Sequence, residues 1–269
     1  MSVATEVMTP QTRPYHEATE FFRAIWYVGA REIRNLIRTP AAFIPSFFIP
    51  LFFFFVQSGS LAGLVQRSGA IGDYKAFILP VAILFSVSNE GAGFNMVQDI
   101  ERGYFDKVML VPANRLGFLI GTVGANFMSV VFRSLIVTGV AMAAGLHFKT
   151  GIAGVLPMVL IASLWGLVFA GVGLTTAIKT GNAQAVQGTI VFLFPLLFLT
   201  TSFAPRAQMT GWLKTAVIYN PITYILDAMR SFSVYGLQWG TIGKGLLALA
   251  ILAPITMGMA IRALHSRLK

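Results

Sequence analysis

The chain has 269 residues and a formal net charge of +10, with an isoelectric point near 10.2, yet only 11% of its residues are charged while 56% are hydrophobic. Soluble domains carry about 25% charged residues, so a mean hydropathy of +0.73 describes a chain built for lipid, long enough for about six helical crossings of ~20 residues each. The chain has no cysteine, which excludes disulfides, thiolate metal sites and cysteine nucleophiles; with His16, His147 and His265 far apart in sequence, no metal site is expected.

Residues 1–16, with Pro10 and Pro14, read as a polar cytoplasmic tail. Residues 17–38 then show a helical period: Phe21, Phe22, Ile25, Trp26, Ile33, Leu36 and Ile37 share one half of the wheel. Glu20, Arg23, Arg31, Arg34 and Arg38 share the other, and only Glu32 intrudes. Such a two-faced helix belongs in the membrane interface, lying flat before the first crossing.

Apolar runs predict six spans, at 41–63, 76–98, 117–145, 152–178, 184–203 and 242–261. These runs are continuous rather than alternating, which favours helices over a barrel and gives an all-α polytopic fold. Pro45 and Pro50 are expected to kink the first span, and Gly117, Gly121 and Ala125 on the third fit close helix packing. A segment of intermediate polarity, 204–241, separates the fifth and sixth spans.

Lys and Arg concentrate in alternate connections when the N-terminus is cytoplasmic, so both termini are expected inside a cytoplasmic (inner) cell membrane. This accounts for the basic balance better than nucleic acid does, because no basic stretch with interleaved aromatics stands apart from the spans. No signal-peptide pattern occurs in the first forty residues.

Asn89, Glu90 and Arg133 fall within spans and are therefore functional candidates. Glu90 lies ~14 Å from Asp99 at the helical rise, and Arg133 roughly 27 Å from Arg115, so the two heights do not match. Arg133 is expected to snorkel outward while Glu90 faces an interior.

The charged island 99–115 lies on the cytoplasmic side between the second and third spans. Asp99, Glu101, Arg102, Asp106 and Lys107 offer both signs of charge, with Gly103, Tyr104, Phe105 and Val108 among them and Pro112 ending the segment. A charged helix with an aromatic plug suits docking into a groove on a soluble partner; an ordinary solvated loop is the plainer alternative.

"ERGYFDKVMLVPANR" resembles the E-R-G-T-then-Pro pattern in the first cytoplasmic loop of ABC-type export permeases of the type-two (ABC-2) class. A second stretch, residues 194–232, is similar to that family's F-P-L-x-F-L-S-G-x-F-x-P, G-W-L and N-P-x-T-Y-x-x-D-A-x-R run, nearest the drug-resistance and nodulation-factor subgroup. Tyr104 replaces the usual Thr, and Thr201-Ser202 stands where the family has Ser-Gly. The resemblance implies that 99–115 forms a coupling helix seated on an ATPase subunit. It also implies that 204–241 forms two short external re-entrant helices. Within these, Pro221 sets a helix start with Asn220 near its N-cap, Tyr224 belongs to the same motif, and Asp227 and Arg230 share one face, either as an exposed pair or as a structural lock.

"GTIGKG", residues 240–245, fails the phosphate-loop spacing twice, at Gln238 and Gly245. The chain is therefore not expected to be an enzyme or to bind a cofactor. ATP and Mg²⁺ would sit on a partner ATPase, and a second permease copy would complete the pathway as a homodimer in the bilayer. The resemblance implies export of an amphipathic drug or lipid-like substrate. Permeases for polysaccharide or lipid-linked glycan, and more remotely ion-coupled secondary transporters, are the alternatives.

Overall fold

In hydrocarbon every backbone N–H and C=O must be satisfied within the protein, and long apolar runs achieve this as helices. The structure, a computed structural model, describes residues 40–67, 73–88, 92–110 and 115–267. Among the described residues there are ten α-helices and no strand. They are α1 (Pro40–Arg67), α2 (Tyr74–Ser88), α3 (Ala92–Glu101), α4 (Tyr104–Leu110), α5 (Arg115–Ala143), α6 (Val155–Thr180), α7 (Ala183–Phe198), α8 (Gly211–Tyr219), α9 (Pro221–Ser233) and α10 (Trp239–Arg267). The expected tail 1–16 and interfacial helix 17–38 lie outside the described residues, as do Asn89, Glu90 and Pro112.

Four stretches are long and apolar enough to cross a membrane: Tyr74–Glu101, Phe118–Ala143, Ile152–Thr180 and Trp239–Arg267. Two shorter apolar helical runs accompany them, Phe47–Ser60 in α1 and Ala183–Phe198 in α7. Phe52, Phe55, Val191, Phe192, Leu247 and Ile251 are all exposed, an arrangement that suits a lipid surround.

α6 is the central post, packed against α10, α5, α3, α9, α2 and α7. One large apolar core occupies the half of the bundle that contains α9, around Phe54, Phe85, Trp165 and Met229. A second core fills the opposite half, around Met96, Phe105, Leu174, Ile178, Ala263 and Leu264. Arg230 marks the first end, the Arg230 end, and Arg267 the opposite one, the Arg267 end.

The predicted spans and the observed helices differ in instructive ways. The second span, expected at 76–98, falls within Tyr74–Glu101, where α2 and α3 are the described helices. The fifth stops at Phe198, because the Thr200 and Ser202 hydroxyls both donate to the Leu197 carbonyl and turn the chain out of the helix. The sixth extends beyond 242–261 in both directions, since Lys and Arg are excluded from hydrocarbon but not from the ends of a helix of 29 residues, roughly 44 Å long.

The close helix approaches within the protomer lie at small residues other than Gly121 of the expected stripe. A Cβ on Gly121 would meet nothing within 4 Å. By contrast, a Cβ on Gly93 would fall 2.8 Å from the Gly173 carbonyl carbon, one on Gly171 2.7 Å from backbone of Thr256, and one on Gly245 2.7 Å from the Tyr224 carbonyl oxygen. These glycines join α3 to α6, α6 to α10 and α10 to α9. Spacing along one helix does not reveal them, because a close approach is a property of two surfaces. Arg133 likewise departs from expectation: instead of snorkelling it is buried, with Nε donating to the Ser129 carbonyl at 3.4 Å.

Candidate functional site

At the Arg230 end, α9 begins with a proline whose missing N–H costs nothing at the first helical position. Asn220 caps it, Oδ1 accepting from the Ile222 N–H at 3.0 Å. The same side chain works in the other direction as well: Nδ2 donates to the Leu196 and Leu199 carbonyls, both at 2.7 Å. Those carbonyls belong to the unravelled end of α7, whose last turn has no further helix to satisfy it. One amide therefore closes one helix and opens another.

Arg230 is fully buried one face further on. Its Nη1 donates to the Thr201 hydroxyl and its Nη2 to the Thr201 carbonyl, both at 2.7 Å, while Nε donates to the Phe77 carbonyl at 3.2 Å. The guanidinium lies 3.5 Å from the Phe77 ring centroid. Asp227 stands 3.5 Å from Nη1 and also accepts from the Thr201 hydroxyl at 3.1 Å. Burial pulls the Arg230 guanidinium down to about 10, with Asp227 opposing the shift, so it stays cationic near neutrality. The pair is thus part of a buried clamp joining α9, α2 and the residues after α7, rather than an exposed pair. Thr201, read as a departure from the family pattern, supplies both the hydroxyl and the carbonyl that the clamp uses. Tyr224 is set apart from the clamp, its hydroxyl donating to the Ile218 carbonyl of α8 at 2.8 Å.

Thr201, Arg206, Asp227, Arg230, Tyr235 and Gln238 line a polar cavity of about 190 Å³ beside the clamp. An apolar groove of about 530 Å³ opens nearby between the starts of α6 and α10, with Leu160, Ile161, Phe232, Leu237 and Trp239 on its walls. "GTIGKG" lies within the first turns of α10, where Gly245 packs on Ala228.

At the Arg267 end the charged island is two helices joined at a sharp corner. α3 ends at Glu101, and Gly103 adopts φ 67°, a left-handed conformation that glycine enters without steric cost. The Arg102 and Gly103 N–H groups donate back to Gln98 and Ile100, and α4 starts immediately. This backbone requirement explains the glycine of the E-R-G motif.

On α4, Phe105 is 2% exposed and sits among Met96, Leu174, Ile178 and Leu264, with Phe118 edge-on at 6.1 Å. The aromatic plug therefore fills this chain's own bundle instead of a partner's groove. Tyr104 is the aromatic turned outward, 53% exposed and 6.2 Å from the Phe118 ring. Glu101, Arg102, Asp106 and Lys107 are exposed, and Asp99 is half-buried on the last turn of α3. The result is a short helix bolted to the spans through one ring and presenting charges of both signs.

Sequence reasoning missed Arg267, and it marked Thr201 only as a departure from the family pattern. Arg267 Nη1 donates to the Ile178 carbonyl at 2.8 Å, and its guanidinium lies 5.3 Å from the Phe105 ring centroid. A basic residue in the last turn of a helix is common enough to carry no signal in sequence.

A bundle of this kind, with a short charged helix bolted to one end and a clamped pair of short helices at the other, matches the family model of ABC-2 type transporters over residues 23–233. The chain belongs to that family and is an integral membrane permease. It is 25% identical over 232 residues to the daunorubicin resistance ABC transporter permease protein DrrB1 of Streptomyces coeruleorubidus, covering 81% of this chain and 79% of that one. It is 24% identical over 192 residues to the "probable doxorubicin resistance ABC transporter permease protein" DrrC of Mycobacterium tuberculosis, covering 70% and 68%. The "probable multidrug ABC transporter permease" YbhR of Escherichia coli K12 is 23% identical over 201 residues, which cover 72% of this chain and 53% of that protein.

Proposed function

We propose that the chain is the permease subunit of an ATP-driven exporter that moves an amphipathic drug or lipid-like substrate out across the cytoplasmic membrane. The Arg267 end faces the cytoplasm and the Arg230 end the outside. α1 and α7 complete six crossings, α8 and α9 dip into the outer leaflet, and two copies of the chain enclose the pathway. The ATPase subunit supplies ATP and Mg²⁺.

The observation that carries this reading is the split character of α4 and the corner before it: Phe105 is sunk in the bundle while Glu101, Arg102, Tyr104, Asp106 and Lys107 stay exposed. An exposed charged helix without a deep anchor would slide under load. This one is tied to α6 and α10 by a buried ring, so force applied to it from a soluble subunit reaches the spans. ATP binding closes the ATPase subunits and displaces α4, and the spans rearrange to release cargo outward. The drug-resistance names of the relatives support the substrate class.

The test is to recover the chain from detergent-solubilised native membranes and compare wild type with a Glu101→Ala, Arg102→Ala double variant. An ATPase subunit that copurifies with wild type and is lost or loosened in the variant supports the reading. Wild type that brings down no nucleotide-binding protein, under conditions preserving other membrane complexes, refutes it.

A further inference from the structure

Three chain segments meet at the Arg267 end. Phe105 enters from the corner between α3 and α4; Ile178 and Gly181 belong to the end of α6; Arg267 comes from the last turn of α10. Arg267 is the side chain common to all three. Its Nη1 reaches the Ile178 carbonyl, one of the four acceptors that the C-terminal turn of α6 leaves without a helical partner. A cation there also suits the partial negative charge of the helix end. Its guanidinium lies near the Phe105 ring. Gly181, at φ 59°, is so close that a Cβ on it would stand 3.7 Å from Ile100 and 3.9 Å from Arg267 Nη2.

Burial holds Phe105 in place but does not fix its direction, because apolar contacts are non-directional. The hydrogen bond and the ring contact of Arg267 supply that direction. Beyond this junction the helices are in close contact: α6 and α10 touch at Gly171 and Thr256 with no room for a Cβ, and α10 touches α9 in the same way at Gly245. A displacement of α4 that is locked to α10 is therefore carried to the Arg230 end.

We propose that Arg267 is a positioning residue that locks α4 to α6 and α10, so that movement imposed on α4 is transmitted through α10 to the polar cavity at the opposite end. This rests on the reading of α4 as the ATPase contact. Arginine suits the role better than lysine, because its planar fork can donate from an edge while its face approaches a ring.

The natural absence of cysteine allows a direct test in the permease–ATPase complex in lipid nanodiscs. Thr241→Cys places one thiol in the polar cavity on α10, and its rate of reaction with a water-soluble maleimide is compared with and without ATP–vanadate trapping. The expected result is a rate change of about fivefold in this background, within the usual range of coupling between distant sites. Adding Arg267→Ala is expected to bring the change to within about twofold of unity, while the ATPase subunit still copurifies. Arg267→Lys, which keeps the charge, is expected to recover part of it. Phe105→Leu, which keeps the burial but loses the ring, is the substitute should Arg267→Ala not fold, and is expected to reduce the change.

An undiminished rate change in folded Arg267→Ala, or in Phe105→Leu where that stands in, overturns the proposal; so does a background with no nucleotide-dependent change. Loss of the ATPase subunit from Arg267→Ala alone also overturns it, because Arg267 would then act in docking. Failure of the ATPase to copurify with the Arg267-bearing background refutes instead the reading of α4 on which the proposal rests.

Discussion

Arg230 donates to both the hydroxyl and the carbonyl of Thr201, each at 2.7 Å, and so fastens α9 to the residues that follow α7. The guanidinium is fully buried and donates to the carbonyls of both Thr201 and Phe77. Arg230→Met removes the donor from a site that keeps its acceptors, which costs about 3–5 kcal/mol for a broken buried ionic network. A large fall in thermal stability of the purified permease in detergent checks this. Thr201→Ser, which keeps the hydroxyl, is expected to stay near wild type, whereas Thr201→Val is expected to lose about 1–3 kcal/mol.

Asn220 gives a sharper contrast. Aspartate is as good an N-cap as asparagine in isolation. Here Nδ2 faces two carbonyl oxygens, so Asn220→Asp would set a carboxylate against them. Asn220→Asp is therefore expected to be more destabilising than Asn220→Ser, which retains a cap without the repulsion. Thermal unfolding of the two variants side by side decides it.

The glycine contacts predict an asymmetry that composition does not. Gly93→Ala would drive a methyl into the Gly173 backbone, an overpacking cost of about 1–3 kcal/mol, whereas a Cβ on Gly124 meets nothing within 4 Å. Folded yield in membranes and thermal stability of the protomer are expected to fall for Gly93→Ala and to hold for Gly124→Ala.

Lipid class, helices and family were legible in the sequence because they depend on composition, run length and motif. The corner at Gly103 was legible only as a motif; its cause is a positive φ, which one needs backbone to see. Which face of α4 is anchored was not legible, since Tyr104 and Phe105 are adjacent aromatics and only the packing of Met96, Leu174 and Leu264 selects Phe105 for burial. Arg230 was visible as half of an i, i+3 pair, but its three carbonyl and hydroxyl partners lie at Phe77 and Thr201, distant in the chain. Arg267 gave no signal at all, because its two partners come from α6 and α4.

Exposed charge on α4 and at the corner before it also predicts a salt response. Glu101, Arg102, Asp106 and Lys107 are solvent-facing, so the contacts proposed for them with a soluble subunit would be screened over ~10 Å at 0.1 M salt. Retention of the ATPase subunit on immobilised permease is expected to fall as salt is raised, and more steeply for wild type than for the Asp106→Ala, Lys107→Ala variant.

The most direct measurement places a photo-crosslinking amino acid at Tyr104 on α4 and, separately, at Trp212 on α8, both exposed and at opposite ends of the bundle. Irradiation in native membranes is predicted to join the Tyr104 position to a nucleotide-binding subunit and to leave the Trp212 position free of it. Crosslinking of that subunit to the Trp212 position, or to neither, would contradict the account.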